Sequence, residues 1–241
     1  MAGKGVIVDV SVVLPTLNEA QNIESLVDSL EAVLKKAKLT SELIIVDDES
    51  EDGTAAIARK LNTRYGNIKT LVRTVRDGAG AAHLHGYKNA RGKIVISMES
   101  DNSCDVDDLP TIVQKINAGY DLVVASRYAK AGSTNKSAAN MIISRLGNIF
   151  ISTISGIRIS DFTIAYRGFR REIIERVECR EKDGNPFLME FILKANRAGY
   201  KKITEIPTVY REREFGVSKN KLIKAIPRTF FAAVRITLTG A

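Results

Sequence analysis

Leu43-Ile44-Ile45-Val46-Asp47-Asp48-Glu49-Ser50-Glu51-Asp52-Gly53-Thr54 is the stretch from which the rest of the chain is read. Its four consecutive apolar residues have the pattern of a buried strand. Five carboxylates, Asp47, Asp48, Glu49, Glu51 and Asp52, follow at once. Gly53 then turns the chain, and a helical pattern begins at Thr54. Like charges crowded at the end of one strand repel each other and serve stability poorly. They suit the carboxyl edge of a parallel sheet, where open α/β folds bind ligands. The competing reading is a solvated acidic turn in which Asp52 or Thr54 caps the next helix.

The flanking sequence extends the pattern. Residues 6–14 predict a first strand ended by Pro15, and Asn18 with Gln21 gives a capping-box pattern. Ile23, Leu26, Val27, Leu30, Val33 and Leu34 keep helical spacing, which predicts an amphipathic helix over 20–37. Residues 43–47, 68–73, 94–98 and 122–126 predict further strands, with helices over 54–64, 80–90 and 106–118 between them. Strands alternating with helices imply βαβ units and a mostly parallel sheet. After Ser126 the rhythm breaks. Residues 129–140 read as a mobile loop, 141–154 as a helix, 162–169 as strand, 187–198 as helix and 203–209 as strand. Residues 218–238 interleave apolar residues with Lys219, Lys221, Lys224, Arg228 and Arg235, the pattern of a basic amphipathic helix that Pro227 breaks or kinks.

The 241 residues are 44% hydrophobic, enough core for one large α/β domain or two small ones. No stretch reaches the roughly 18 apolar residues that cross a bilayer. Residues 1–5 lack the apolar segment of a secretory signal. Cys104 and Cys179 have no metal or redox spacing, so a reducing cytoplasmic setting is the plain reading. The formal charge of +8 is concentrated: residues 197–241 hold ten Lys/Arg against three acids. That asymmetry points to an anionic partner such as phosphates, nucleic acid or a membrane surface. Nucleic acid is disfavoured, because aromatic residues are only 6% and the tail presents no stacking platform.

Met98-Glu99-Ser100-Asp101-Asn102-Ser103 follows the fourth expected strand. Alternate residues of an extended segment share a side, so Glu99, Asp101 and Ser103 can converge on one hard cation. Mg²⁺ or Mn²⁺ bridging to a diphosphate fits such oxygens; a surface turn is the competing reading. Asp77-Gly78-Ala79-Gly80 has the form of a phosphate loop at a helix start. It is not the dinucleotide fingerprint, which belongs after the first strand, where Pro15-Thr16-Leu17-Asn18-Glu19 stands instead. His83 and His85 face different directions on a helix and are poor joint ligands. Arg211, Arg213, Ser218 and Lys219 flank Gly216 in a polar loop whose cations suit a leaving diphosphate, or simply solvent.

Together these segments resemble glycosyltransferase family 2, the inverting enzymes of GT-A fold, and within it the dolichyl- and polyprenyl-phosphate mannose and glucose synthases. The motifs stand in family order from about residue 10 to residue 235. They are Pro15-Thr16-Leu17-Asn18-Glu19, then Val46 to Thr54, Gly78-Ala79-Gly80-Ala81, Glu99-Ser100-Asp101 and Ser126-Arg127-Tyr128. Asp161 through Arg171, Glu205-Ile206-Pro207 and Arg213-Glu214-Phe215-Gly216-Val217-Ser218-Lys219 complete the series. The resemblance implies an α/β GT-A fold: a mostly parallel sheet flanked by helices, with a C-terminal basic amphipathic helix. It implies a catalytic domain over 1–217 and a membrane-interface segment over 218–241. Positions matching Pro15, Glu19, Val46, Asp48 and Asp101 hold the nucleotide sugar, GDP-mannose or UDP-glucose. Those matching Glu99, Asp101 and Ser103 surround Mg²⁺ or Mn²⁺. Those matching Asp101, Arg127, Arg213 and Lys219 carry catalysis and handle phosphates. The implied acceptor is a polyprenyl or dolichyl phosphate, and the implied setting is cytoplasmic and peripheral to a membrane surface, with room for a small membrane-anchoring subunit. Four features depart from the family pattern: Leu17 replaces an aromatic residue, Glu99 an Asp, Ile164-Ala165-Tyr166 a Ser-Gly-Phe, and Asn140 an acceptor-binding Arg. A phosphate monoester is already ionised near neutral pH, its second pKa being about 6, so such an acceptor needs no strong base. A sugar hydroxyl would need one, and Asp105, Asp107 and Asp108 are the nearest carboxylates.

Overall fold

Uninterrupted apolar runs build the centre of the sheet, because a strand covered by helices on both faces has no solvent side for polar residues. The computed structural model describes residues 8–135, 138–213, 215 and 222–239, without the side chains of 138–139 and 222–227. In chain order the elements begin β1 (Val10–Thr16), α1 (Ile23–Lys36), β2 (Ser41–Asp47), α2 (Thr54–Tyr65), β3 (Ile68–Val72), α3 (Ala79–Lys88) and β4 (Ile94–Ser97). A 3-10 turn at Val106–Asp108 leads into α4 (Leu109–Asn117), then β5 (Leu122–Ser126), β6 (Ser133–Thr134), α5 (Ala138–Ser155), β7 (Arg167–Arg170) and α6 (Ile173–Arg176). The last are α7 (Gly184–Arg197), β8 (Ile203–Pro207), β9 (Val209–Tyr210) and α8 (Leu222–Thr239).

Seven strands form the main sheet in the order β3-β2-β1-β4-β7-β5-β8. β7 runs antiparallel to β4 and β5, and the other pairings are parallel. β6 and β9 form a separate parallel pair. The chain leaves β1 for β2 and β3 on one side, then returns to place β4 on the other. β1 and β4 therefore flank a topological switch point, the crevice in which open α/β sheets bind ligands. Val12, Leu14, Ile44, Ile96 and Val124 are fully buried between the helical layers. Each such side chain contributes roughly 1.5–3 kcal/mol by leaving water.

The structure departs from the sequence expectations at identifiable places. Pro15 does not end β1; it pairs with Val46 of β2. The ladder to β4 has already stopped at Val13, so no second neighbour calls for the N–H that proline lacks. Asn18 is not a helix cap, since α1 starts at Ile23 and Asn18 has a left-handed φ of 57°. The expected strand over 162–169 shrinks to β7. Before it, carbonyls that a ladder would have bonded instead accept from the buried Arg167: Nε reaches Ile164 O at 3.1 Å and Nη2 reaches Phe162 O at 3.4 Å. The expected loop over 129–140 contains β6 and the start of α5. α8 runs unbroken through Pro227. It is docked on α7 through the small residues Ala232 and Ala233 and through Ile236, all buried. Arg197 Nη1 binds the Ile236 and Thr237 carbonyls near the end of α8, each at 3.0 Å.

Candidate active site

The loops after β1, β2 and β4 meet at the switch point, and their side chains hold one another. Thr16 Oγ1 donates to Asp47 Oδ1 at 3.0 Å, and Ser100 Oγ donates to Pro15 O at 2.7 Å. Asn18 N donates to Ser50 Oγ at 2.8 Å, and its Oδ1 accepts from Glu51 N at 3.1 Å. Glu19 N donates to Thr54 Oγ1 at 2.9 Å. Asn18, Glu49 and Asn102, one in each loop, have φ of 57°, 52° and 61°. That region is costly for residues other than glycine, and the stitching between loops supplies the constraint that maintains it.

The five carboxylates divide by role. Asp47 is fully buried and accepts from Thr16 and from Ser50 N at 2.9 Å. Asp52 accepts from Ala20 N at 2.9 Å and from Thr54 N at 3.0 Å; the N-cap of α2 is Gly53, so neither Asp52 nor Thr54 takes the capping position, although Asp52 binds the first helical N–H. Burial alone would raise its carboxyl, but the hydrogen bonds from Thr54 and Ala20 outweigh it and hold Asp52 below the usual range. Glu49 and Glu51 are exposed on the turn, where Arg76 Nη2 reaches Glu49 O at 2.6 Å. Asp48 is different. Burial raises its carboxyl despite Arg73, whose Nη1 lies 3.4 Å from Oδ1, with Asp77 and Asp47 adding repulsion. That Oδ1 is buried and has no hydrogen-bond partner among the described residues; the Arg73 guanidinium is its ionic neighbour. Val46 lies one residue below the edge, fully buried.

At the end of β4, Asp101 is buried and its Oδ1 accepts from Ser103 N at 3.2 Å and from Ser103 Oγ. Its Oδ2 lies 2.9 Å from Arg213 Nη2, and Arg213 Nη1 lies 3.7 Å from Glu19 Oε1. Glu99 stands two residues away but turns inward. Its Oε1 accepts from Ala165 N at 3.2 Å and its Oε2 from Cys104 Sγ at 3.1 Å. Burial and then the Asp101 charge raise its carboxyl above the ordinary value. The structure thus brings Glu19, Asp48, Glu99, Asp101, Ser103 and Arg213 to one edge. Lys219, Ser218 and Gly216 lie outside the described residues.

Arg127 sits at the end of β5 in a buried bidentate pair, Nε to Asp161 Oδ2 at 2.7 Å and Nη2 to Asp161 Oδ1 at 2.9 Å. Burial works against its charge, but the Asp161 carboxylate prevails and fixes the guanidinium in its protonated form. Nη2 also reaches Thr163 Oγ1 at 3.2 Å. Beyond Thr163 lies an apolar groove between α5 and α8, lined by Ile143, Gly147, Phe150 and Phe230. Sequence reasoning assigned no role to Asp161 and did not foresee the groove. The partners are 34 residues apart, and no local pattern connects them.

The other candidates resolve into structure. A Cβ at Gly78 or Gly80 would collide with the Lys182 carbonyl or Phe187, so packing of α3 on the 182–187 segment already accounts for both glycines. His83 Nδ1 shares a hydrogen bond with Ser97 Oγ at 2.8 Å, and burial pulls its pKa down to about 3. It is a neutral core residue. Asp105 Oδ1 accepts from Asp107 N at 3.3 Å, and Asp105 pairs with Arg211 at 3.1 Å.

Residues 11–178 match the family model described as glycosyl transferase family 2. The chain is 31% identical over 215 residues to the polyprenol monophosphomannose synthase of Mycolicibacterium smegmatis, covering 86% of this chain and 79% of that protein. It is 33% identical over 216 residues to the dolichol-phosphate mannosyltransferase of Pyrococcus furiosus, covering 88% of this chain but only 59% of that longer protein. Among solved structures, glucosyl-3-phosphoglycerate synthase from Mycobacterium tuberculosis, in complex with Mn²⁺, UDP and glucosyl-3-phosphoglycerate, gives a TM-score of 0.68 at 19% identity. That match covers 95% of this chain and 79% of the other. Mannosyl-3-phosphoglycerate synthase from Rubrobacter xylanophilus gives 0.66 at 20% identity, over 95% and 73%. At such identities the likeness speaks for the fold alone, which is GT-A.

Proposed function

The chain belongs to glycosyl transferase family 2, and from that premise we propose that it moves mannose from GDP-mannose onto a polyprenyl or dolichyl phosphate at the cytoplasmic face of a membrane. The observation that carries this reading is the convergence of Glu19, Asp101 and Arg213 at the switch point. Carboxylates and a guanidinium meeting there suit a metal-bound diphosphate. The names borne by the two mannosyl-transferring relatives support the acceptor class.

In this reading the segment from Pro15 to Glu19 and Asp48 receive the nucleotide, over a floor that includes Val46. The residues fit a divalent ion. Asp101 already holds a cationic group, and Ser103 adds a hard oxygen beside it. Among the described residues no three His, Cys, Asp or Glu cluster as a metal cage. Mg²⁺ or Mn²⁺ needs no such cage when substrate phosphates complete its shell. Asp101 and Ser103 would hold the ion, with Glu99 as the neighbouring carboxylate. When bound, it supplies neutralisation of the leaving diphosphate. Arg213 and Lys219 add positive charge where negative charge develops, and Arg127 presents a guanidinium fixed in place by Asp161. The neutral, buried His83 is no base, and a phosphate acceptor requires none.

No helix among the described residues is long and apolar enough to cross a membrane. Attachment to a bilayer surface, or to a small anchoring subunit, is supported by exposed apolar residues: Ile142, Leu146 and Ile149 on α5, and Phe231 and Leu238 on α8. Arg228 and Arg235 instead pair with Asp183 and Glu181 of the same chain. Incubating the protein with labelled GDP-mannose or UDP-glucose, Mn²⁺ and vesicles carrying polyprenyl phosphate tests the reading. Labelled mannose in the lipid fraction is expected. Transfer from UDP-glucose alone, or only to free glycans, would favour the second reading, a family 2 transferase with another donor or acceptor.

A further inference from the structure

The role given to Asp101 above is the footing here, and the placement of Arg213 takes it further. Two carboxylates from different strand ends, Asp101 and Glu19, face one guanidinium, at 2.9 Å and 3.7 Å. Their side chains are 7% and 11% exposed, whereas that of Arg213 is 27% exposed. Like charges that close to one point need a cation between them. The backbone on either side of Arg213 is pinned. Arg211 N donates to Ser103 O at 2.8 Å, and Phe215 O accepts from Asn22 Nδ2 at 3.3 Å. Asn22 Nδ2 also holds Glu19 Oε2 at 2.6 Å. The carboxylates and the chain are fixed, so the long side chain is the part that can move.

We propose that Arg213 is a stand-in cation. In the ligand-free protein it fills the charge position between Asp101 and Glu19. It yields that position to the divalent ion and swings onto the diphosphate that arrives with it. Metal alone then binds weakly, because it must displace a guanidinium from two carboxylates. Metal with diphosphate binds well, because the displaced guanidinium gains a new anion. Donor and metal are thereby coupled through one side chain.

Mn²⁺ binding followed by electron paramagnetic resonance, on the full chain with and without GDP, tests this. GDP should tighten Mn²⁺ binding to the wild type, and Arg213→Met should tighten Mn²⁺ binding in the absence of GDP, each by about tenfold, within the usual range of coupling between sites. In Arg213→Met the effect of GDP should shrink. Arg213→Gln, which keeps hydrogen bonding without charge, should behave like Arg213→Met and covers the case in which that variant melts early. Arg211→Met removes the same charge from a neighbour that pairs with Asp105 at 3.1 Å, and should leave Mn²⁺ affinity unchanged. Unchanged or weaker Mn²⁺ binding in both Arg213 variants, or equal tightening in Arg211→Met, overturns the proposal. A wild type that binds no Mn²⁺ even with GDP removes the metal reading itself.

Discussion

At the carboxyl edge of β1, β2 and β4, polar side chains hold one another across three loops. Across the face made by α5 and α8, apolar side chains stand in solvent: Leu146 is 62% exposed, Phe231 70% and Leu238 77%. The first region is organised before any ligand arrives, and its left-handed residues are held by hydrogen bonds from neighbouring loops. The second is organised as a scaffold, with Phe150 stacked on Phe230 at 4.6 Å, while Leu146, Phe231 and Leu238 stay exposed among the described residues. The difference separates two tasks. Under the proposed function, charge chemistry needs fixed dipoles, whereas an acceptor with a long apolar tail needs exposed apolar surface to pack against.

The sharpest break is expected at the polar edge. Asp101→Ala should abolish transfer while far-ultraviolet circular dichroism and the melting temperature stay near wild type; normal turnover, or full activity in excess chelator, would remove Asp101 from the site. Arg213→Ala and Lys219→Ala should each lower kcat by ~10²–10³ at saturating donor, the usual cost of losing one electrostatic donor. Steady-state kinetics that show only a raised KM would place both residues in ground-state binding.

The border between the regions gives the third test. Arg127 joins Asp161 to Thr163, and Thr163 lines the groove. Asp161→Asn leaves a buried guanidinium uncompensated and should destabilise the fold by about 3–5 kcal/mol at neutral pH, read by urea melts. Burial opposes the Asp161 charge, yet Arg127 and its hydrogen bonds depress the carboxyl below its ordinary value. A depressed carboxylate contributes stability that is present above the unfolded value near 4 and lost as pH falls through the folded value. The gap between wild type and Asp161→Asn should therefore close only below about pH 4. A constant gap down to pH 2 would show that packing, not charge, holds this pair.

The smallest effect is expected on the helical face. Deleting α8 would strip Ala232, Ala233 and Ile236 from α7, so substitutions are the cleaner probe. Phe231→Ser with Leu238→Ser should weaken vesicle co-sedimentation by roughly tenfold, about 1.4 kcal/mol for the pair, because side chains resting on a bilayer surface bury only part of the area that full burial at about 1.5–3 kcal/mol each would remove from water. Activity on a short, soluble prenyl phosphate should persist. Because Arg228 and Arg235 are paired internally, binding should survive raised salt better than a purely ionic attachment would. Release at modest salt would return the role to the basic residues.

Legibility in the sequence followed the range of the interactions. β2 and the helices that follow the early strands were visible because apolar runs and 3.6-residue spacing are local. Asp101 and Ser103 were visible because two residues of extended chain put their oxygens on one side. The five carboxylates pointed to the edge at which the proposed site lies, yet Asp47 and Asp52 serve the loops, since their donors Thr16 and Ala20 come from another strand end. Arg127–Asp161, Glu99–Ala165 and Asp101–Arg213 join distant segments and leave no periodic trace. β7 was overextended because the Arg167 side chain, not a neighbouring strand, satisfies the Phe162 and Ile164 carbonyls that strand propensity assigned to a ladder.

β7 has one more consequence, for the order in which the protein can be assembled. It lies between β4 and β5, which precede it in the chain, so no sheet containing both is complete until residues 167–170 have been made. On a ribosome the β3-β2-β1-β4 half emerges first, and β4 waits as an unpaired edge while residues through α5 are added. An exposed apolar edge strand is a template for the wrong partner. Slow steps and aggregation in refolding should therefore trace to β4, and fragments ending before Arg167 should be the least soluble pieces of this chain.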